Sequence, residues 1–139
     1  MSLNRTLSPK GPRRLLAVFA HPDDESFGPG GTLALYAQQG VEVHLICATR
    51  GEVGAAPAHL LDGHTDVASL RESELRCASG HLGLTGVHFL GYRDSGMPGS
   101  EDNRHPQALA AAPLDEVAQR IGEDVGNRGN GAGLNDDER

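Results

Sequence analysis

The sequence has few cysteines, few basic residues and no long apolar run, and each absence excludes a class of protein. Its 2 cysteines lie far apart, which argues against a disulfide scaffold and fits a reducing cytoplasm. Lys and Arg number 12 against 19 Asp and Glu, so nucleic acid and anionic membranes are poor partners. No apolar stretch approaches the roughly 20 residues that span a bilayer. The 139 residues are therefore expected to form one cytoplasmic domain.

Strand and helix patterns alternate along the chain. The continuous apolar run over residues 15–20 and the apolar–polar alternation over 41–48 are typical of strands, and 87–92 is a third candidate. Helical spacing separates them over 32–39 and 66–82, and each of these segments ends at a glycine. This order predicts an α/β fold, a Rossmann-like parallel sheet with flanking helices.

Only the N-terminal half of such a fold is evident. Apolar spacing over 114–121 predicts one more helix, but no fourth strand follows it. We expect a flexible leader over 1–13, a folded domain over 14–123 and a disordered tail over 124–139. In the usual strand order the first strand would then lie at an open edge, so self-association or aggregation is expected. Sedimentation as a uniform monomer at tens of micromolar would contradict it.

Residues suited to metal binding and acid–base chemistry follow the first predicted strand. His21 and Asp24 supply a nitrogen and a carboxylate oxygen, both common zinc ligands, on one turn. Asp23, between them, can act as a general base, and Glu25 can cap the next helix or orient His21. The segment also fits a solvated turn before a helix N-terminus, where acidic residues are favourable. Spacing alone leaves both interpretations open.

The glycine-rich segment that follows suggests a different class of enzyme. Gly28-Pro29-Gly30-Gly31 lies between a predicted strand and a predicted helix, as a dinucleotide-binding loop does. The G-x-G-x-x-G pattern would require a glycine at position 33, where the chain has Leu33. NAD binding is therefore the weaker interpretation.

Two blocks of the sequence resemble the LmbE-like, or PIG-L-like, N-acetylglucosaminyl de-N-acetylases. The block AHPDDESFGPGGTLALYAQQGVEVHLICATRGEVG resembles the family's first strand, metal motif, double glycine, first helix, second strand and T-x-G-E turn. The block LRESELRCASGHLGLTGVHFLGYRDSGMPGS resembles its R-x-x-E-L helix, third strand and Asp-Ser-Gly-Met loop. The resemblance covers about residues 14–122.

The resemblance implies a metal-dependent hydrolase that removes the acetyl group of a small N-acetylated amino sugar or conjugate. His21 and Asp24 would bind Zn²⁺ or another divalent transition metal, and Asp23 would deprotonate the attacking water. Arg71 and Asp94 match positions that face substrate hydroxyls or phosphate in relatives that act on amino sugars. A helix-surface charge for Arg71 and a turn-forming role for Asp94 remain open as alternatives.

One part of the family pattern is missing from this sequence. Relatives carry a third metal ligand in a later H-P-D-H or H-x-x-H segment, whereas the pattern ends here near Gly122 and Glu123. His105 precedes Pro106 but has no second histidine three residues further on, so it is a weak candidate. The alternative is a truncated, catalytically impaired member that acts at most as a metal-binding or interaction module. Whether the chain is an active enzyme stays open at this point.

Overall fold

Helices and strands alternate in the computed structural model, which describes residues 11–61 and 63–129. The strands are β1 (Arg14–Phe19), β2 (Glu42–Cys47) and β3 (Gly86–Phe89). The helices are α1 (Asp24–Phe27), α2 (Gly30–Gln38), α3 (Val67–Leu82) and α4 (Leu114–Gly129). Short 3₁₀ turns lie at Ala58–Leu60, Asp102–Arg104 and Leu109–Ala111.

The three strands form one parallel sheet in the order β1-β2-β3. In its register Leu15 pairs with Val43, and Leu45 pairs with both Ala17 and Val87. Parallel strands joined by helices are the arrangement that the alternating sequence patterns predicted. The α/β fold class, with a parallel sheet flanked by helices, is therefore confirmed.

Apolar side chains cover both faces of β2, the central strand. Val43 and Leu45 pack in a cluster with Leu33 of α2 and Leu75 of α3. Ile46 belongs to the cluster on the opposite face, which includes side chains of α4. Because packing fixes β2 from both faces, the loop that leaves its carboxyl end starts from a rigid support.

The boundaries of α3 follow from two capping residues. Asp66 accepts a hydrogen bond of 2.8 Å from the backbone N–H of Ser69, and Gly83 ends the helix with a left-handed φ of 74°. The helix predicted over 66–82 is confirmed. Within the described ranges, no helix is long and apolar enough to cross a membrane.

The outer edge of β1 is open in the described part of the chain, where β1 pairs with β2 alone. Leu16 and Val18 of this strand are 38% and 39% exposed. An open strand edge that carries exposed apolar side chains favours pairing with another strand. Self-association through this edge stays a prediction.

Helix α4 extends further than the apolar pattern indicated. It runs to Gly129, beyond the expected start of the tail at residue 124. Asp124 is buried, and its Oδ1 lies 3.2 Å from Nε2 of His88. Val125 continues the helical spacing four residues after Ile121, but the glycines and asparagines around it favoured a tail. Residues 1–10 and 130–139 of the expected leader and tail lie outside the described residues.

Candidate active site at the carboxyl end of the sheet

The turn of residues 21–24 lies between β1 and α1, at the carboxyl end of the sheet. Thr49, in the loop after β2, fixes the ends of both strands. Its Oγ1 donates to the carbonyl oxygen of Ala20 at 2.9 Å and accepts from the backbone N–H of Gly51 at 3.1 Å. Open α/β sheets bind their ligands at this end. The turn is therefore the candidate site.

His21 lies between two carboxylates. Its Nδ1 is 3.7 Å from Oδ2 of Asp24, and its Nε2 is 3.3 Å from Oδ1 of Asp94. The Asp24 side chain is 39% exposed and that of Asp94 is 8% exposed. The structure thus brings Asp94, which is remote in sequence, against the turn, with one carboxylate open to solvent and the other buried.

The positions of His21 and Asp24 fit two ligands of one metal ion. At zinc–ligand distances of about 2.1 Å, two ligand atoms at a tetrahedral angle are about 3.4 Å apart. This value is close to the 3.7 Å between Nδ1 of His21 and Oδ2 of Asp24. A catalytic zinc usually has three protein ligands. The residues that the structure describes contain no metal-binding group of three or more His, Cys, Asp or Glu side chains.

His105, the weak candidate for a third ligand, is engaged within its own turn. Its Nδ1 accepts a hydrogen bond of 3.1 Å from the backbone N–H of Gln107. The structure therefore brings together two of the residues expected to bind a metal and does not add His105 to them.

Asp23 adopts a left-handed backbone conformation, with φ at 87°. It is the one non-glycine residue with a positive φ in the described ranges. Such a conformation costs a non-glycine residue about 1–3 kcal/mol and persists where neighbouring groups enforce it. The Asp23 side chain is 55% exposed, so its carboxylate is accessible to a reacting molecule.

Glu25 holds this turn from inside. Its side chain is buried, and Oε2 accepts a hydrogen bond of 2.9 Å from the backbone N–H of Asp23. Its Oε1 accepts from the Ser26 hydroxyl at 2.6 Å. Of the two roles expected for Glu25, this geometry matches the capping of the next helix.

Replacing Glu25 by Ala should lower the free energy of unfolding by about 2–3 kcal/mol, because the part-buried N–H of Asp23 would lose its charged acceptor. Glu25→Gln is the matched control. Its amide oxygen can accept from Asp23 and its amide nitrogen can donate to Ser26, so a smaller loss is expected. Urea unfolding measures both. Equal losses would contradict the capping role.

Arg71 reaches from α3 to the turns that follow β1 and β2. Its Nη1 donates to the carbonyl oxygen of Gly51 at 2.9 Å. Its Nη2 donates to the carbonyl oxygen of Pro22 at 2.8 Å and to Oδ2 of Asp23 at 3.2 Å. A Cβ atom built at Gly51 would lie 1.9 Å from Nη1. Arg71 is therefore part of the site, in space that a glycine leaves free.

Glu52 holds the loop that carries Asp94. Its Oε1 accepts a hydrogen bond of 3.0 Å from the backbone N–H of Asp94. Oδ1 of Asp94 accepts from the backbone N–H of Gly96, also at 3.0 Å. The hydrogen bond from Gly96 is the turn-forming role that was left open for Asp94. The same Oδ1 atom also faces Nε2 of His21.

Cys47 lies beneath the site and remains a neutral thiol. Its Sγ donates to the carbonyl oxygen of Thr49 at 3.2 Å. Burial raises the pKa of the Cys47 thiol to about 12, and the nearby charges of Glu25 and Asp24 add to the rise. A thiol with this pKa is neither a thiolate ligand nor a nucleophile at neutral pH.

A comparison with models of protein families identifies the family of this chain. The model described as "PIG-L: GlcNAc-PI de-N-acetylase" matches residues 16–125, which include every residue of the site described above. The chain belongs to the PIG-L family. The resemblance inferred from the sequence motifs is therefore confirmed.

Curated relatives of this PIG-L chain share nearly half of the aligned residues. The "1D-myo-inositol 2-acetamido-2-deoxy-alpha-D-glucopyranoside deacetylase" of Streptomyces avermitilis is 48% identical over 118 residues, covering 78% of this chain and 40% of the relative. The protein of the same name from Kineococcus radiotolerans is 47% identical over 129 residues, covering 82% and 36%. The chain thus spans about two fifths of the length of the curated relatives it matches.

Two solved structures share the fold of the PIG-L chain. N,N'-diacetylchitobiose deacetylase from Pyrococcus horikoshii is 32% identical, with a TM-score of 0.53 over 68% of this chain and 35% of that protein. GalB, the 4-carboxy-2-hydroxymuconate hydratase from Pseudomonas putida KT2440, is 33% identical, with a TM-score of 0.50 over 65% and 38%. One is named for deacetylation and the other for hydration. The fold alone therefore does not determine the reaction.

Proposed function

We propose that this chain carries the water-activating part of a de-N-acetylase site that acts on an N-acetylated amino sugar or conjugate. The supporting observation is the turn of residues 21–24, where His21 and Asp24 are spaced for one metal ion and Asp23, which lies between them in the sequence, presents an exposed carboxylate. The names of the curated relatives describe removal of an acetyl group from a sugar conjugate, which supports the same class of reaction.

His21 and Asp24 would hold Zn²⁺ or another divalent transition metal. Nδ1 of His21 and Oδ2 of Asp24 are the donor atoms that face each other. A histidine and a carboxylate suit zinc, and also iron, cobalt or nickel. When bound, such an ion polarises a carbonyl oxygen and lowers the pKa of water.

Asp23 would serve as the general base. Its carboxylate accepts a proton from the water whose oxygen attacks the acetamide carbonyl carbon. The C–N bond then breaks, acetate leaves and the proton passes to the departing amine. Arg71 holds one oxygen of this carboxylate at 3.2 Å, so the group is oriented before substrate arrives.

Direct contact of Arg71 and Asp94 with sugar hydroxyls or phosphate stays a prediction. Their side chains are 21% and 8% exposed, and both already contact the turns of the site. A cytoplasmic location also stays a prediction.

The proposed function is tested by incubating the 139-residue chain with N-acetylglucosaminyl inositol and measuring acetate and free amine. We expect turnover that is lost on chelation and restored by Zn²⁺. Turnover that chelation leaves unchanged would contradict the metal-dependent reaction.

The second candidate function is a metal-binding or interaction module without turnover. It is favoured by the finding that no group of three metal-binding side chains occurs in the described part of the chain. Bound zinc without any release of acetate would overturn the first proposal and support this one.

A further inference from the structure

We propose that Arg71 is a positioning residue that fixes the backbone and carboxylate of Asp23. The inference rests on the proposed role of Asp23 as the base. Arg71 would have this role within the protein in addition to any contact with substrate, and Gly51 leaves the space that the guanidinium occupies.

One nitrogen of Arg71 bridges two oxygens that are separated by the N–Cα bond of Asp23 and by the bonds of its side chain. Nη2 donates to the carbonyl oxygen of Pro22 at 2.8 Å and to Oδ2 of Asp23 at 3.2 Å. The Pro22 carbonyl precedes the N–Cα bond of Asp23, and the carboxylate follows it. Rotation about this bond, which is φ of Asp23, would separate the two oxygens and break one of the hydrogen bonds unless the side-chain torsions χ1 and χ2 turned to compensate.

Asp23 needs such a restraint because its φ of 87° lies in the left-handed region. The cost of this conformation must be offset by surrounding contacts. Glu25 holds the backbone N–H of Asp23, and Arg71 holds the preceding carbonyl and the side chain. Between them they hold the peptide group that precedes Cα of Asp23 and the Asp23 side chain.

The guanidinium is itself held in place by the loop that follows β2. Nη1 of Arg71 donates to the carbonyl oxygen of Gly51 at 2.9 Å, and this loop is tied to the end of β1 through Thr49. Gly51 has a φ of 64°, and Gly54 also borders the group, since a Cβ there would lie 3.1 Å from Nη1. A side chain at position 51 would occupy the space of the guanidinium.

Two different variants remove the proposed restraint. Arg71→Ala deletes the guanidinium, whereas Gly51→Ala keeps it and displaces it. Each has a matched control. Arg76→Ala removes an exposed arginine from the same helix, and Gly40→Ala places alanine at a φ of 75° with no atom within 4 Å of the new Cβ.

The first readout is the conformation of Asp23 in the metal-free chain, followed by NMR. A left-handed residue gives a strong NOE between its own amide and α protons, because these atoms lie close together at positive φ. We expect this NOE in the native chain and in both controls, and its loss in Arg71→Ala and Gly51→Ala. Retention of the NOE in both of these variants would overturn the proposal.

The second readout separates positioning from substrate binding. Loss of orientation of the base should lower kcat by about 10–100-fold and leave KM unchanged. Zinc content should also stay unchanged, because neither variant alters His21 or Asp24. A raised KM with an unchanged kcat would overturn the positioning role. If the native chain has no turnover, the proposed function fails, and the NOE alone still decides the role of Arg71.

Discussion

Replacing Asp23 by Asn is expected to lower turnover by about 10²–10⁴-fold while metal affinity stays close to that of the native chain. Asparagine has nearly the same shape as aspartate, and its amide oxygen can still accept the hydrogen bond that Arg71 donates at 3.2 Å. The amide cannot take a proton from water at neutral pH. The variant therefore removes the base and leaves the turn and its proposed metal ligands in place.

The matched control is Asp66→Asn, the same substitution at the N-terminus of α3. Asp66 caps that helix through Ser69, and asparagine caps helices equally well. Turnover and zinc content should both be near native in this control. Equal turnover in Asp23→Asn and the native chain would exclude Asp23 as the base, and loss of metal from Asp23→Asn would place it among the ligands.

Most of the fold could be predicted from the sequence because its signals are local. The apolar run of β1, the alternation in β2 and the glycines that end α2 and α3 each lie within a few residues of the element they define. The end of α4 could not be predicted in this way. Its last turns are rich in glycine and contain one apolar residue, Val125, and Asp124 is held by a contact with His88, which is remote in sequence.

The residues of the candidate site also differ in whether a local sequence pattern reveals them. His21, Asp23 and Asp24 lie on one turn, so their spacing made a metal and a base one of two open interpretations, beside a solvated turn. Arg71 contacts Pro22 across 49 residues of sequence, and no local pattern carries that information. The resemblance to a family singled out Arg71, and the contact with Pro22 is visible only once α3 is packed against the sheet.

Thr49, which joins the ends of β1 and β2, is the first residue of the T-x-G-E turn, but the sequence analysis gave it no role of its own. A threonine after a strand has many possible roles. Its hydrogen bond to Ala20 spans 29 residues and depends on the pairing of the two strands. Tertiary contacts of this kind require the sheet register to be known first.

The central claim is that His21 and Asp24 form a metal site, and it is tested most directly by the zinc content of the purified chain and of His21→Ala. Removing the imidazole leaves the Asp24 carboxylate without its nitrogen partner 3.7 Å away, so binding should fall sharply. His81→Ala, which removes an exposed histidine at the end of α3, is the control for nonspecific zinc.

Mass spectrometry of metals gives the zinc content of the native chain and of both variants. We expect about one zinc per chain in the native protein and in His81→Ala, and almost none in His21→Ala. Equal zinc in His21→Ala and the native chain, or no zinc in either, would contradict a metal site at this turn.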